Sequence, residues 1–364
     1  MSRLSIAQKM NQFAFDIKKS NKANIVTLQL DLTDFCVCKC KGCEHWKWPQ
    51  KTKLSTEIIN KNVLPFIKES RTLQSVVFSG GEPLLHADVE MLAETIKSYG
   101  KNVGIITSGL GKSKIEWKKL SQSCSWIRFS TDGFTNENYK NTRGVDLFQQ
   151  WSNNFNSLIA YNKDTGCQTR LNVTIHQYNL ENFTDGLYDY MMFNSIDNDI
   201  YFWLSRELID LFRKNCEEAS RVAELIESKF EDLFNLLSNV NKLQLVNIEN
   251  ITRHLIEKNA IFYESCFVPQ TFLLVASDGN VFPCCYMYEP VFSMDQQQRQ
   301  YVIGNINEQT ISNILLSEKY QQVVNEFRTC NKKFPQCKFC DRFDHINKYL
   351  NDFQINDSND PIFL

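Results

Sequence analysis

Residues 25–43 read IVTLQLDLTDFCVCKCKGC. The first nine alternate in polarity and are rich in β-formers, so they predict a strand. That strand delivers Cys36, Cys38, Cys40 and Cys43 to its end, four thiols in eight residues. A closed metal site uses four thiolates, whereas a catalytic iron–sulfur site uses three and leaves one iron open. Cys36, Cys40 and Cys43 are spaced C-x3-C-x2-C, and Cys38 lies between the first two. Thiolates suit iron–sulfur clusters and zinc alike, so the spacing by itself leaves both open.

The rest of the 364-residue chain narrows this. It is 43% hydrophobic and 23% charged, which fits a globular protein of one or two domains. A formal net charge of −2 gives no reason to expect nucleic acid or an anionic membrane as partner. The first twenty residues lack an apolar signal core, and no run is long and apolar enough for a membrane span, so a cytoplasmic protein is expected. Thirteen cysteines in a reducing compartment point to metal or catalysis rather than disulfides. They fall into two groups, 36–43 and 266–340, with Cys124, Cys167 and Cys216 alone between them. Two groups predict two metal centres.

Downstream of the first group, strands alternate with helices. Strands are expected over 75–83, 102–109, 126–133, 169–176 and 199–205, and helices over 54–70, 87–100, 114–123, 146–162 and 180–193. With the first strand this makes six βα units and implies a parallel sheet or barrel with helices outside. From Glu207 to about Val240 the apolar spacing becomes that of a long amphipathic helix. A hairpin turned at Asp278-Gly279-Asn280 and a helix over 310–328, continuous or broken, follow.

One unit after the cysteines, the second strand ends in Gly80-Gly81-Glu82-Pro83. Glycines there permit close approach to the backbone, and a carboxylate can meet an ammonium group. In this order the two motifs resemble the radical S-adenosylmethionine (radical SAM) superfamily over about residues 25–205. The resemblance implies a partial (β/α)6 barrel with its site at the C-terminal strand ends, and a 4Fe–4S cluster on Cys36, Cys40 and Cys43. It further implies SAM on the open iron and a GGE-type turn at the SAM amine. Thr107 ends the third strand in Thr107-Ser108-Gly109. Ser130 and Asp132 look like the family's fourth-strand pair, Arg143 is placed to meet the SAM carboxylate, and Asn172 points to the same end. Many relatives carry an aromatic residue before the third cysteine, where this chain has Gly42; His45, Trp46 and Trp48 are the candidate substitutes.

The later cysteines, with Gly279 and Gly304-Asn305-Ile306, resemble the C-terminal SPASM/twitch extension of that superfamily, a small α+β iron–sulfur domain. The full seven-cysteine pattern is missing. One auxiliary 4Fe–4S cluster is therefore expected on Cys266, Cys284, Cys337 and Cys340, with Cys285 and Cys330 as the alternative ligands. A zinc site on the same four cysteines is the alternative. The expected organisation is an arm at 1–24, the barrel at 25–206, a helical linker at 207–262, the auxiliary domain at 263–346 and a tail at 347–364.

The resemblance implies an enzyme that cleaves SAM reductively and abstracts hydrogen from a substrate C–H bond, supplied with electrons by a flavodoxin- or ferredoxin-like donor. The expected substrate is a ribosomally made peptide or protein side chain, crosslinked, oxidised or epimerised. A small molecule such as a sugar or aminocyclitol is the alternative, and a non-catalytic zinc scaffold the remote one. The 24 residues before the first strand are too few for a leader-binding domain, which weakens the peptide reading without removing it. Epimerisation would need a cysteine to return hydrogen, and Cys124, Cys167 and Cys216 are the loose candidates.

Overall fold

The structure, a computed structural model, describes residues 6–20, 22–43, 45–111, 115–194, 200–205, 208, 211–212, 216–237, 245–246, 265–288, 301–329 and 344–352. The chain begins with α1 (Ile6–Lys19), β1 (Thr27–Thr33), α2 (Thr56–Asn62), α3 (Leu64–Glu69), β2 (Ser75–Gly80), α4 (Val89–Ser98) and β3 (Asn102–Thr107). Then come α5 (Trp117–Ser123), β4 (Trp126–Thr131), α6 (Asn136–Arg143), α7 (Phe148–Thr165), β5 (Gln168–Ile175), α8 (Leu187–Asn194), β6 (Ile200–Leu204), α9 (Glu217–Leu237) and β7 (Leu245–Val246). The last are α10 (Val268–Thr271), β8 (Phe272–Val275), β9 (Asn280–Phe282), β10 (Gly304–Asn305), α11 (Ile311–Leu316), α12 (Glu318–Thr329) and α13 (Asp344–Asp352). They belong to two compact units, one of Leu30–Thr56 and Ser75–Ala260, the other of Met1–Gln29, Glu57–Gln74 and Ile261–Leu364.

In the first unit, β2 to β7 lie side by side in chain order, each pair parallel. An order that never reverses is that of a singly wound, barrel-like wall rather than a doubly wound sheet. All six expected strands are present. The two-residue β7 is invisible in the sequence because two residues show no alternation. On β4, Ile127, Phe129 and Thr131 are buried while Trp126, Arg128 and Ser130 are half-exposed. Phe129 packs against Trp117 of α5 and Phe155 of α7 at ring distances of 5.3 Å, so the buried face is the helix side. The same alternation on β5 leaves Arg170, Asn172 and Thr174 on the other face. A strand's period of two thus sorts helix-packing residues from those that face the barrel interior.

The helix expected over 180–193 starts only at Leu187. Before it the chain makes i to i+3 turns, Asn182 N to Asn179 O at 3.0 Å and Asp185 N to Asn182 O at 3.1 Å. Asn and Asp side chains compete for backbone groups, which favours turns over an extra helical turn.

In the second unit the expected hairpin pairs β8 with β9, and β10 adds antiparallel to β9. Gly279 turns it at φ +89°. The helix over 310–328 is broken at Ser317, whose hydroxyl accepts from Tyr320 N at 3.2 Å and so starts α12. Residue 347, the expected start of the tail, lies inside α13, because Leu350 has an apolar cluster to join, made of Ala14, Ile17 and Phe267. No described helix is long and apolar enough to cross a membrane.

Candidate active site

The site is built where the ends of β1 and β2 meet. Gly81 N donates to Thr33 O at 2.6 Å, and Glu82 N donates to Phe35 O at 2.8 Å. A Cβ on Gly81 would stand 2.5 Å from Phe35 O and 2.6 Å from Asp34 O. The glycine turn therefore exists to let the cysteine loop lie directly on it, a closeness no side chain permits. The loop's other side is held by α6. Lys39 N donates to Arg143 O at 2.9 Å and Lys41 N to Thr142 O at 3.0 Å, which satisfies carbonyls that a helix end leaves unpaired. Gly144 ends α6 at φ +69°, and a Cβ there would lie 2.5 Å from Lys39 O. Gly144→Ala is expected to push the loop off this helix and remove up to about four irons per chain, read by iron analysis after anaerobic reconstitution. Unchanged iron would show that the loop does not depend on this contact.

Between these supports lies a cavity at the C-terminal strand ends. Cys36, Cys40, Cys43, Gly80, Gly81, Thr107, Ser130, Asp132, Arg143, Thr174 and His176 line it. Asp132 and Arg143 are both buried, and Arg143 Nη1 donates to Asp132 Oδ2 at 2.9 Å. Asp132 Oδ1 also accepts from Thr174 N at 3.1 Å, so this carboxylate ties β4, β5 and α6 together. Arg143 Nε is buried with no partner among the described residues.

Two expected site residues, Glu82 and Asn172, and the candidate aromatic substitutes are placed otherwise than the sequence suggests. Glu82 is fully buried and does not line the cavity. Its Oε1 accepts from Leu84 N at 3.0 Å and from the Thr107 hydroxyl; its Oε2 accepts from Ser108 N at 2.7 Å and from the Ser108 hydroxyl. Burial raises its pKa, opposed by the hydrogen bonds from Ser108 and Thr107. Glu82 is thus a brace between β2 and β3. Asn172 is not in the cavity lining, and its Oδ1 accepts from Trp203 Nε1; Thr174, further along β5, and His176, just beyond it, line the cavity instead. The candidate substitutes for an aromatic at Gly42 are engaged elsewhere. Trp46 Nε1 donates to Cys40 O at 2.8 Å, and His45 stacks on Trp48 at 4.0 Å.

Sequence reading misses His176 and Asn179. Asn179 is buried, donates to Asp132 O at 3.1 Å and Thr174 O at 2.9 Å, and accepts from His176 N at 2.8 Å. Burial lowers the His176 pKa, which keeps the ring neutral. The only available signal is the period of two from Asn172 through Thr174 to His176.

The donor set fits a cluster of cationic iron. Cys38 hydrogen-bonds with the sulfurs of Cys36 and Cys40, and these contacts, with burial, raise the Cys36 and Cys40 thiols. Sulfurs this crowded and buried cannot all ionise without a compensating positive centre. Cys38 is itself buried and outside the cavity wall, and its thiol also bonds Ser108.

The isolated cysteines stand apart from this chemistry. Cys124 and Cys167 are buried just before β4 and β5, at the strand ends opposite the cavity. At 3.3 Å per residue a strand of six to eight residues separates them from it by about 20 Å. Cys216 precedes α9 and does not line the cavity. Burial raises the Cys124 thiol and pushes Cys167 up to about 12. Both are expected to resist iodoacetamide in the folded protein at pH 8 and to react within minutes once unfolded, as read by mass spectrometry. Fast labelling of the native protein would show that they are accessible.

In the second unit, Cys284 is buried two residues beyond β9, with Cys285 beside it. Cys266 precedes α10, and Asn347 of α13 donates to its sulfur at 3.5 Å. Cys330, Cys337 and Cys340 lie outside the described residues.

Comparison with known proteins gives two family matches, the radical SAM superfamily over residues 30–185 and the SPASM iron–sulfur cluster-binding domain over residues 266–342. Among curated proteins, the chain is 22% identical over 325 residues to the tungsten-containing aldehyde ferredoxin oxidoreductase cofactor-modifying protein of Pyrococcus furiosus, covering 86% of each chain. It is also 24% identical over 156 residues to a probable GTP 3′,8-cyclase of Saccharolobus islandicus, over 42% of this chain and 49% of that one. Among solved structures, Streptococcus suis SuiB bound to S-adenosylmethionine matches with a TM-score of 0.56 at 17% identity, over 92% of this chain and 76% of that one. Native anSMEcpe with bound AdoMet matches with a TM-score of 0.59 at 19% identity, over 87% of each chain. At such identities these structures establish the shared fold, and the family matches fall on the two segments that carry the cysteines. The chain belongs to the radical SAM superfamily of enzymes and carries a C-terminal SPASM iron–sulfur domain.

Proposed function

We propose that Cys36, Cys40 and Cys43 hold a 4Fe–4S cluster whose open iron binds SAM, and that the enzyme abstracts hydrogen from a C–H bond of a peptide or protein side chain. The observation behind this is the convergence of three cysteines, a glycine turn and a buried Asp132–Arg143 pair on one cavity at the C-terminal strand ends. When bound, the cluster and SAM supply a 5′-deoxyadenosyl radical that abstracts hydrogen. The chain's own residues hold and shield that chemistry. Asp132 fixes Arg143 so that its remaining N–H groups stand in the cavity wall for an anionic group such as a carboxylate. Ser130 and Thr174 add polar side chains beside it. Cys266, Cys284, Cys337 and Cys340 are the proposed auxiliary ligands.

The peptide reading draws on SuiB, solved with its precursor peptide SuiA, and on anSMEcpe, solved with the Cp18Cys peptide. A small-molecule substrate is the second reading, favoured by the Pyrococcus relative, whose name describes cofactor modification and whose match spans 86% of both chains. Anaerobically reconstituted protein is expected to be brown, to hold about eight irons, and to release 5′-deoxyadenosine from SAM under a strong reductant. Colourless, zinc-loaded protein that forms none overturns the reading. Added peptides or extracted small molecules that speed 5′-deoxyadenosine release then separate the two substrate classes.

A further inference from the structure

His176 stands just beyond β5 and is 1% exposed, yet it lines the same cavity as Cys36, Cys40 and Cys43. Its Nδ1 accepts a hydrogen bond from Tyr178 N at 3.2 Å. A neutral imidazole that accepts at Nδ1 carries its proton on Nε2. Its backbone is fixed as well, since His176 N donates to Asn179 Oδ1 at 2.8 Å. The ring is therefore oriented from both sides, with one N–H left over. That Nε2 is buried and has no partner among the described residues.

A buried N–H without an acceptor is costly, and native proteins seldom keep one without a use. The position of the ring says where the acceptor belongs. A Cβ added to Gly42 would lie 3.6 Å from His176 Cδ2, so the imidazole covers the position between Cys40 and Cys43 that has no side chain of its own. On the same strand face, two residues back, Thr174 also lines the cavity, as does Ser130 on the neighbouring β4. The leftover donor thus extends a row of polar groups rather than an apolar wall.

We propose that His176 is a ligand-binding residue whose Nε2–H donates to a nitrogen or oxygen acceptor of SAM bound in this cavity. The proposal rests on the reading of the cavity as a SAM site. Its role is distinct from that of Arg143, which offers a charge for an anionic group; His176 offers one neutral, directional donor from its place against Gly42.

Two variants test it in the full-length, anaerobically reconstituted protein. His176→Phe keeps a ring against Gly42 and removes the donor, while His176→Gln restores an N–H on a flexible side chain. The measurements are the equilibrium dissociation constant for SAM and the midpoint potential of the cluster without SAM. His176→Phe is expected to weaken SAM binding about five- to tenfold, the scale of one buried hydrogen bond. His176→Gln is expected to recover most of the loss, and both variants are expected to keep the SAM-free potential of the parent. Unchanged SAM affinity in His176→Phe overturns the proposal. So does a shifted SAM-free potential with unchanged affinity, which would assign the proton to a cluster sulfur. A glutamine variant as weak as the phenylalanine one overturns it too, by showing that shape rather than the donor matters. If the parent protein binds no SAM, the reading of the cavity fails first, and the proposal falls with it.

Discussion

Cys40→Ala and Cys36→Ala are each expected to abolish 5′-deoxyadenosine formation and to lower iron from about eight to about four per chain, whereas Cys38→Ala keeps both. The argument is geometric. Cys36, Cys40 and Cys43 stand in the wall of the cavity, while Cys38 is 1% exposed, absent from that wall and hydrogen-bonded to Cys36, Cys40 and Ser108. A cluster that fills the cavity meets the first three sulfurs and has Cys38 behind it. Retention of about four irons in the Cys36 and Cys40 variants, those of the auxiliary cluster, would also show that the chain still folds. The reverse pattern, with Cys38→Ala inactive and Cys36→Ala active, would put Cys38 in the ligand set and overturn this register.

Glu82→Ala is expected to destabilise the protein by about 3–5 kcal/mol, because it leaves four donors buried and unpaired between β2 and β3. Glu82→Gln keeps the volume but turns an N–H2 group toward donors, so a loss of about 2 kcal/mol is expected. Denaturant midpoints with unchanged slope measure both. The acid-side behaviour separates the carboxyl from a merely bulky side chain. Burial raises the Glu82 pKa, so the folded state holds its proton at a pH where the unfolded chain has released it. Wild-type stability from this group is therefore full below the ordinary glutamate value of about 4.3 and declines as the pH rises through the folded pKa. Glu82→Gln lacks that decline. A flat difference between wild type and Glu82→Gln from about pH 4 to 7 would show that the carboxyl does not titrate differently on folding.

The frame of the protein is legible because its signals are local. Period-two alternation gives six strands, and the hairpin at Asp278-Gly279-Asn280 needs only its turn residues. What is not legible depends on partners far along the chain. Glu82 looks ligand-facing in the sequence because its donors, Thr107 and Ser108, come from the next strand. Asn172 shares its strand face with Thr174 and His176, but only the latter two line the cavity, and how far along the strand a cavity begins leaves no mark on one strand's sequence. Gly80 and Gly81 suggest room for a ligand; at Gly81 that room is taken by the cysteine loop's own carbonyls. In the 180–186 segment, helical spacing of apolar residues loses to the turn-forming side chains beside them.

The hydrogen bonds from Lys39 and Lys41 to Arg143 and Thr142 also set an order of assembly. The cysteines are made early, but the partners that fix their loop lie about a hundred residues later in synthesis. Until α6 is in place, the loop bears the entropy of a long, open excursion and holds its sulfurs at no fixed spacing. Iron uptake on the proposed Cys36, Cys40 and Cys43 site is therefore expected to need a barrel wall folded as far as Arg143. A nascent chain released before that point would present four thiols without a cradle, open to oxidation during biogenesis.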